Sequence, residues 1–361
     1  MTTTSPRQQR LRVAVVGAGI GSQHIEAYLK LPDRYEVRAL GDLDPARARA
    51  VAERFGVPGT FGAFEEALGR DDIDLVDICT PSSLHFEQSR AALRAGKHVV
   101  CEKPIAGSLA EIDALIAAER QSGRRASPIF QYRFGNGFQK LLHLKRKGAL
   151  GKTYLGTVET HWKRTAAYYA VPWRGRWETE LGGCLVTHAI HTHDMLMAAL
   201  GPVRSVFART TTRVNTIETE DCAVLALEMA DGALVSLSVT LGAAVETSRL
   251  RLCFETLTVE SNLAPYRPHL EPWQMWPADE SAQARIDEAL ADFEPAPEHF
   301  EGQLALLHAA IAGDGPMPVT LADARASLEL LTAAYHSSRT GVAETLPIGP
   351  DHLAYAGWRP E

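Results

Sequence analysis

Leu11 to Val16 is a short aliphatic run that ends at Gly17-Ala18-Gly19-Ile20-Gly21-Ser22 and passes straight into a helical pattern with Ile25, Tyr28 and Leu29 on one face. Strand, glycine turn and helix in that order open a βαβ unit, and a βαβ unit commits the chain to a parallel sheet. The glycines let the backbone approach a pyrophosphate, which the unbonded amides at a helix start can hold. Ser22 stands where the strict spacing has its third glycine, and Gly21 sits one place earlier. Both are small, so close packing of helix on strand survives. Gly17, Gly19, Ile20 and Gly21 are therefore candidate contacts to a nucleotide cofactor.

The alternation continues. Tyr35 to Leu40 reads as a second strand ending at Gly41-Asp42. Asp42 lies about twenty residues past the turn, where a carboxylate accepts hydrogen bonds from an adenosine ribose. Asp44, before Pro45, is the better helix cap, which leaves Asp42 for the ribose. Asp74 to Cys79 is a buried strand broken by Thr80-Pro81, and a helix over Ser83 to Ala95 closes on Gly96. Next come a strand over Val99 to Cys101, then Glu102-Lys103-Pro104, a helix over Leu109 to Arg120 and a strand over Pro128 to Gln131. Ligands of such sheets bind outside the strand carboxyl ends. Lys103 is placed there as a proton-handling group facing the nucleotide.

From residue 150 the texture changes. Strands read over Lys152 to His161, Val203 to Arg209, Asp221 to Met229, Leu234 to Leu241, Arg249 to Phe254 and Leu257 to Glu260. Asp231-Gly232 is a hairpin turn. Val235, Leu237, Val239 and Leu241 alternate with Ser236, Ser238 and Thr240, which describes an antiparallel sheet with one face left open. Gly182-Gly183 opens a helix expected to run to about Leu200. Residues 262–300 are proline-rich and acidic, with Trp273 and Trp276, and read equally as a cleft-lining loop or a solvated excursion.

At 361 residues the chain calls for two domains. A net charge of −7 argues against nucleic acid as a partner. Five scattered cysteines without metal-type spacing fit buried free thiols and a reducing cytoplasm. The first ten residues lack the apolar stretch of a secretory signal, and no apolar run reaches membrane-spanning length. A cytoplasmic protein with no membrane partner is expected.

Together these landmarks resemble the Gfo/Idh/MocA family of glucose–fructose oxidoreductases, inositol dehydrogenases and related sugar and polyol dehydrogenases. The most specific pieces are Gly96-Lys97-His98-Val99-Val100-Cys101-Glu102-Lys103-Pro104 and the segment from Gly182-Gly183 through His191 to Asp194. Gly17 to Gly21 with His24, Thr80-Pro81 with His85, Tyr132-Arg133-Phe134 and Leu346-Pro347-Ile348 support them. The resemblance implies an α/β chain: a doubly wound parallel Rossmann domain over residues 1–130 and an α+β domain with a mostly antiparallel open sheet over 131–345. Residues 346–361 form a tail, and the closing helices within 301–340 are expected to pack back on the first domain.

The same resemblance implies NAD, surrounded by the glycine-turn residues, Asp42, Thr80, Pro81, His85, Glu102, Lys103 and Arg133. It implies a sugar, glycoside or polyol substrate met by Lys103, Arg133, His188 and His191, and Trp173, Trp177 and Arg174 offer rings and donors that suit stacking on and hydrogen-bonding a polyhydroxylated ring. Lys103 would contact the reacting hydroxyl, and His191 would share the acid–base role. The family places an aspartate four residues before this histidine, and Thr187 stands there instead. One helical turn puts Thr187 and His191 on one face, but threonine cannot ionise, and His188 is the nearest titratable replacement. His188, His191 and His193 within six residues invite a zinc reading. His193 swings to another side of a helix, and no cysteine pair or matched carboxylate completes a site, so no metal is expected.

The activity this implies is oxidation or reduction of a secondary hydroxyl of a sugar, glycoside or cyclitol. Two alternatives stay open. One is redox-neutral, NAD-dependent glycoside cleavage by transient oxidation and elimination; the other is a non-catalytic nucleotide-binding sensor, disfavoured by the presence of both Lys103 and His191. A homo-oligomer, dimer or tetramer, is expected through the open face of the second sheet.

Overall fold

Strands β1 (Leu11–Val16), β2 (Tyr35–Gly41), β3 (Thr60–Phe61), β4 (Leu75–Ile78), β5 (His98–Cys101) and β6 (Ala126–Pro128) form a six-stranded sheet in the order β3-β2-β1-β4-β5-β6. Every pair in it is parallel. The order reverses at β1 and β4, the place where such sheets bind ligands beyond their carboxyl ends. All four residues of β4 and of β5 are buried, as expected for strands covered on both faces. These observations come from a computed structural model that describes residues 10–360. Residues 1–9, where the sequence was read for a secretory signal, lie outside the described residues.

By compactness the chain divides into one unit of residues up to 106, 112–129 and 300–324, and a second of 107–111, 130–299 and 325–361. The first unit's core joins Val13 and Val15 of β1 to Ile25 and Tyr28 of the following helix, and to Phe300, Leu304 and Leu307. Tyr35 Oη donates to the Leu304 carbonyl at 2.7 Å. The expectation that residues 301–340 return to the first domain as a block needs correcting. The helix His299–Ala312 does so from Phe300 on, but from Arg325 the helix Leu321–Thr340 belongs to the second unit, where Ser337 Oγ accepts from the amide of Ala208. Within the stretch read as a tail, Trp358 is fully buried and its indole N–H donates to the Leu181 carbonyl.

The second unit is built on an eight-stranded sheet ordered β13-β12-β11-β7-β10-β9-β8-β14. Its strands are β7 (Thr153–Lys163), β8 (Val203–Thr211), β9 (Cys222–Met229), β10 (Leu234–Thr240), β11 (Gly242–Phe254), β12 (Leu257–Glu260), β13 (Gln274–Pro277) and β14 (Glu344–Thr345). All neighbours are antiparallel except β10 and β7. Val235, Leu237 and Val239 face the core while the serines between them face outward, as their alternation predicts. The Asp231-Gly232 hairpin joins β9 to β10, with Asp231 accepting from the amide of Ala233.

Two stretches differ from the sequence reading. Residues 262–300 are neither plain loop nor excursion. They supply edge strand β13 and a helix over Glu280–Leu290, tied down by Trp273, which is buried with its indole donating to Pro268. The helix opened by Gly182-Gly183 is two helices, Cys184–Thr187 and Ile190–Leu200. At the break His188 leaves helical geometry (φ −120°, ψ −57°), and the Ala189 amide reaches back five residues to the Cys184 carbonyl. A widened turn of this kind re-aims the residues that follow it.

No helix among the described residues is long and apolar enough to cross a membrane. The cysteines are free thiols; Cys79, Cys101 and Cys184 are buried, whereas Cys222 and Cys253 are partly exposed.

Candidate active site

The turn after β1 is built for close approach. Gly17 has φ +104°, and a Cβ there would strike the Cys79 carbonyl at the end of β4, so only glycine fits. A Cβ on Gly19 would meet nothing within 4 Å, so open space lies over the turn at the start of the Gly21–Leu29 helix. That space, bordered by helix-start amides, fits a pyrophosphate. Beside it Asp42 at the end of β2 accepts from the Ala18 amide at 2.8 Å and the Asp44 amide at 2.9 Å. Asp44 is the helix cap, as the sequence suggests.

Arg47 reaches back to Asp42, its Nη2 and Nε donating at 2.6 and 3.1 Å. Burial would raise the Asp42 carboxyl, but the Arg47 fork and the two amides outweigh it and hold it below the usual range. A ribose diol placed at Asp42 would share the carboxylate with a guanidinium that is largely exposed. The residues fit an NAD-type group: glycine turn, helix start and the Asp42 carboxylate stand along one edge.

Beneath the Glu102-Lys103-Pro104 turn, whose Lys103-Pro104 peptide is cis, lies a charge chain the sequence does not announce. His24 is wholly buried. Its Nδ1 donates to the Asp77 carboxylate on β4 at 2.9 Å, and its Nε2 donates to Glu102 at 3.1 Å. With a carboxylate on each nitrogen, the ring is an imidazolium. Burial alone would lower it, yet Asp77 and its neighbours raise it well above the ordinary histidine value. Burial would likewise raise Glu102, and the bond from His24 reverses that. The other Glu102 oxygen accepts from the backbone amide of Lys103 at 3.1 Å. Lys103 itself is half-buried at the carboxyl end of β5.

The other residues read as cofactor contacts make these bonds within the protein. His85 is buried with both ring nitrogens 2.8 Å from carbonyl oxygens, those of Pro104 and Thr80. It pins two turns together, and burial lowers its basicity. Thr80 Oγ1 donates to Gln88, and Pro81 follows it at the β4 end. Arg133, in the second unit, has its fork on the Asp194 carboxylate at 2.6 and 2.7 Å.

In the second unit His191 is buried in the Ile190–Leu200 helix and stacked on Tyr132 at 4.5 Å between ring centres. Tyr132 stacks in turn on His269 at 4.5 Å, and His269 on His299 at 5.3 Å. This column of rings orients His191. The helix break corrects the expectation that Thr187, His188 and His191 share one helical face. Thr187 Oγ1 donates to the Gly183 carbonyl at 2.7 Å and lies 2.5 Å from His188 Nδ1, while Arg164 Nε donates to His188 Nε2 at 3.0 Å. His188 is thereby fixed as the neutral Nδ1–H tautomer, its basic nitrogen occupied by Arg164. Glu220 secures the same short helix, accepting from the amides of Gly183 and Leu185 and from Tyr335 Oη. Burial pushes Glu220 up to about 7.

His193 is buried in apolar surroundings, and burial pushes it down to about 3. Among the described residues, convergent groups of metal-ligand type occur at His24–Asp77–Cys79 and His336–Glu344–His352, away from the three clustered histidines. Both ring nitrogens of His24 already donate to carboxylates, and His352 Nδ1 accepts from the Ala354 amide, so both groups read as hydrogen-bonded ion clamps. Trp173 lies under the Arg174 guanidinium at 4.6 Å, and Trp177 is tied to Glu218. Asp77, Arg164 and the Tyr132 column escape sequence reasoning. An aspartate at the centre of an otherwise apolar strand is the one signal that could have marked Asp77.

Against known proteins, residues 11–130 match the oxidoreductase family with NAD-binding Rossmann fold, and 138–260 match the GFO/IDH/MocA C-terminal domain. An uncharacterized oxidoreductase of Synechocystis is 30% identical over 254 residues, 66% of this chain and 67% of that protein. The D-glucoside 3-dehydrogenase of Escherichia coli is 31% identical over 59% of this chain and 60% of its own length, so the chain spans roughly two thirds of these curated relatives. The WlbA dehydrogenase of Bordetella pertussis, solved with NADH and UDP-GlcNAcA, is 29% identical and superposes with a TM-score of 0.82 over 96% of this chain and 100% of that one. The chain belongs to the Gfo/Idh/MocA oxidoreductases, and its amino-terminal half is their NAD-binding Rossmann domain.

Proposed function

We propose that this Gfo/Idh/MocA oxidoreductase oxidises, reversibly, a secondary hydroxyl of a sugar, glycoside or cyclitol. The observation that carries the reading is the Glu102-Lys103 turn, held at the carboxyl end of β5 by the buried His24 imidazolium, on the sheet edge that also bears the glycine turn and Asp42. Bound at that edge, NAD supplies the acceptor for the hydride. Lys103 in its neutral form takes the hydroxyl proton. Glu102, fixed by His24 and by the Lys103 amide, keeps the lysine backbone from shifting as the proton moves.

His191 is assigned the second acid–base role. Its ring is held by stacking on Tyr132, whereas Arg164 covers His188 and His193 is buried in apolar surroundings. Thr187 and His188 act by holding Arg164. The sugar dehydrogenases among its relatives, and the nucleotide sugar in the WlbA structure, support a sugar-type substrate. The outward face of the second sheet, with Val224, Leu234 and Phe207 exposed, is proposed as the contact of a dimer or tetramer.

The test is to supply a panel of sugars, glycosides and cyclitols with NAD and follow NADH absorbance. NADH formed in proportion to ketone supports the proposal. Release of free sugar from a glycoside with no net absorbance change, dependent on NAD, would replace it with transient-oxidation cleavage. Neither product from any member of the panel would leave a nucleotide-binding sensor.

A further inference from the structure

Two guanidiniums converge on one ring beside the His188 segment. Arg164 and Arg174 lie 4.8 and 3.8 Å from the centre of Tyr168. Arg164 also lines a cavity of about 540 Å³ with Lys163, Thr165, Tyr169, Asn215 and Thr216, while Arg174 stands outside that lining, on the ring of the adjacent Tyr168. That volume lies within the range of small-molecule sites. No carboxylate lines it.

The cations are incompletely balanced. Arg164 spends Nε on His188 and Nη1 on the Lys163 carbonyl. Its nearest carboxylate oxygen, on Glu246, is 3.6 Å away and already accepts from the Lys163 amide at 2.8 Å. Among the described residues no carboxylate lies within ion-pair distance of Arg174, although Glu180 is close enough to offset part of its charge. Burial and the neighbouring Arg164 both act against that guanidinium, so a resident anion would relieve a real electrostatic cost. The opposite wall is preformed. The buried Asp221 carboxylate accepts from the amides of Arg213, Val214 and Asn215 at 2.8, 3.0 and 2.7 Å, which fixes that loop without an occupant.

We infer that this cavity receives an anionic substituent of the sugar, a carboxylate or a phosphate, bound by Arg164 and Arg174. The inference rests on the proposed sugar oxidoreductase activity. The planar fork of arginine matches both groups, and the Tyr168 and Trp173 rings pre-orient it. Arg164 couples the site to the proposed chemistry because the same side chain fixes the His188 tautomer.

The experiment is calorimetric titration of the full chain, saturated with NAD, with methyl glucoside, methyl glucuronide, UDP-glucose and inorganic pyrophosphate, at low and high salt. At least one anionic probe is expected to bind tighter than methyl glucoside, with affinity falling as salt rises. Arg174→Gln should weaken it roughly 10- to 100-fold, the scale of a charge-assisted hydrogen bond, with Arg174→Lys intermediate. Preference for the glucuronide assigns a carboxylate; preference for UDP-glucose or pyrophosphate assigns a phosphate. Failure of every anionic probe to exceed methyl glucoside, or binding unchanged in Arg174→Gln, overturns the site. NADH formed equally well from neutral and anionic glycosides by both proteins would overturn it while leaving hydride transfer intact. Arginine-dependent binding without NADH from any sugar would instead remove the oxidation and leave the anion site standing.

Discussion

Replacing His24 by leucine tests the buried charge chain. In the wild type one imidazolium stands between Asp77 and Glu102, with Asp77 and His24 both inaccessible to solvent. Two charge-assisted bonds at about 1.5–3 kcal/mol each put the loss at about 3–6 kcal/mol near neutral pH, in line with the cost of orphaning a buried charge. The pH dependence is the sharper signature. The folded-state pKa of His24 is raised, so its contribution is fully present below the unfolded value and fades only as pH climbs toward the folded one.

Between about pH 5 and pH 6.5 the wild-type imidazole is charged in the fold and at least half protonated when unfolded, so it adds little slope. In His24→Leu, an orphaned carboxylate must take up a proton to stay buried, so the variant loses about 1.4 kcal/mol per pH unit there. The gap between the two proteins should widen by about 2 kcal/mol across that window. All the tryptophans (162, 173, 177, 273, 276 and 358) lie in the second unit, so their fluorescence does not report on the first. Hydrogen exchange at the β4 and β5 amides does. A loss below about 1 kcal/mol at neutral pH, or a gap that stays constant with pH, would refute the charged assignment of His24.

Lys103→Met should retain NAD affinity while turnover falls roughly 10²–10⁴-fold, measured by equilibrium titration beside steady-state kinetics; near-normal turnover would move the proton elsewhere. Wild-type protein should prefer NAD to NADP, and Asp42→Ser, which frees the Arg47 fork for a 2′-phosphate, should raise the NADP-to-NAD affinity ratio at least about tenfold. Glu220 has its folded-state pKa raised to about 7, so its share of stability is greatest below the ordinary carboxyl range and is lost as pH rises through 7. Glu220→Gln should flatten that decline, worth about 3 kcal/mol, and unchanged pH dependence of the melting temperature would show the group already ionised in the fold. His191→Ala should cost far more turnover than His193→Ala, since the latter ring lies in apolar surroundings; equal losses would undo the assignment.

The parallel sheet is legible from residue order alone. β1, its glycine turn and the strand ends at Asp42 and Lys103 are local patterns, each set by backbone geometry or by burial on two faces. The same holds for the Asp231-Gly232 hairpin and the alternation along β10. The break between Thr187 and Ile190 is not local in this sense: helix propensity runs through it, and only the long-range cap by Glu220 and the grip of Arg164 on His188 accompany the change of direction. Nor does order reveal that Asp77 serves His24, or that Tyr132 stands between His191 and His269, with His299 stacked beyond. Such pairings join positions 53 to more than 100 residues apart. Spacing within one segment fixes which way a side chain leaves the backbone; what it meets there is decided only when distant segments are packed at van der Waals contact.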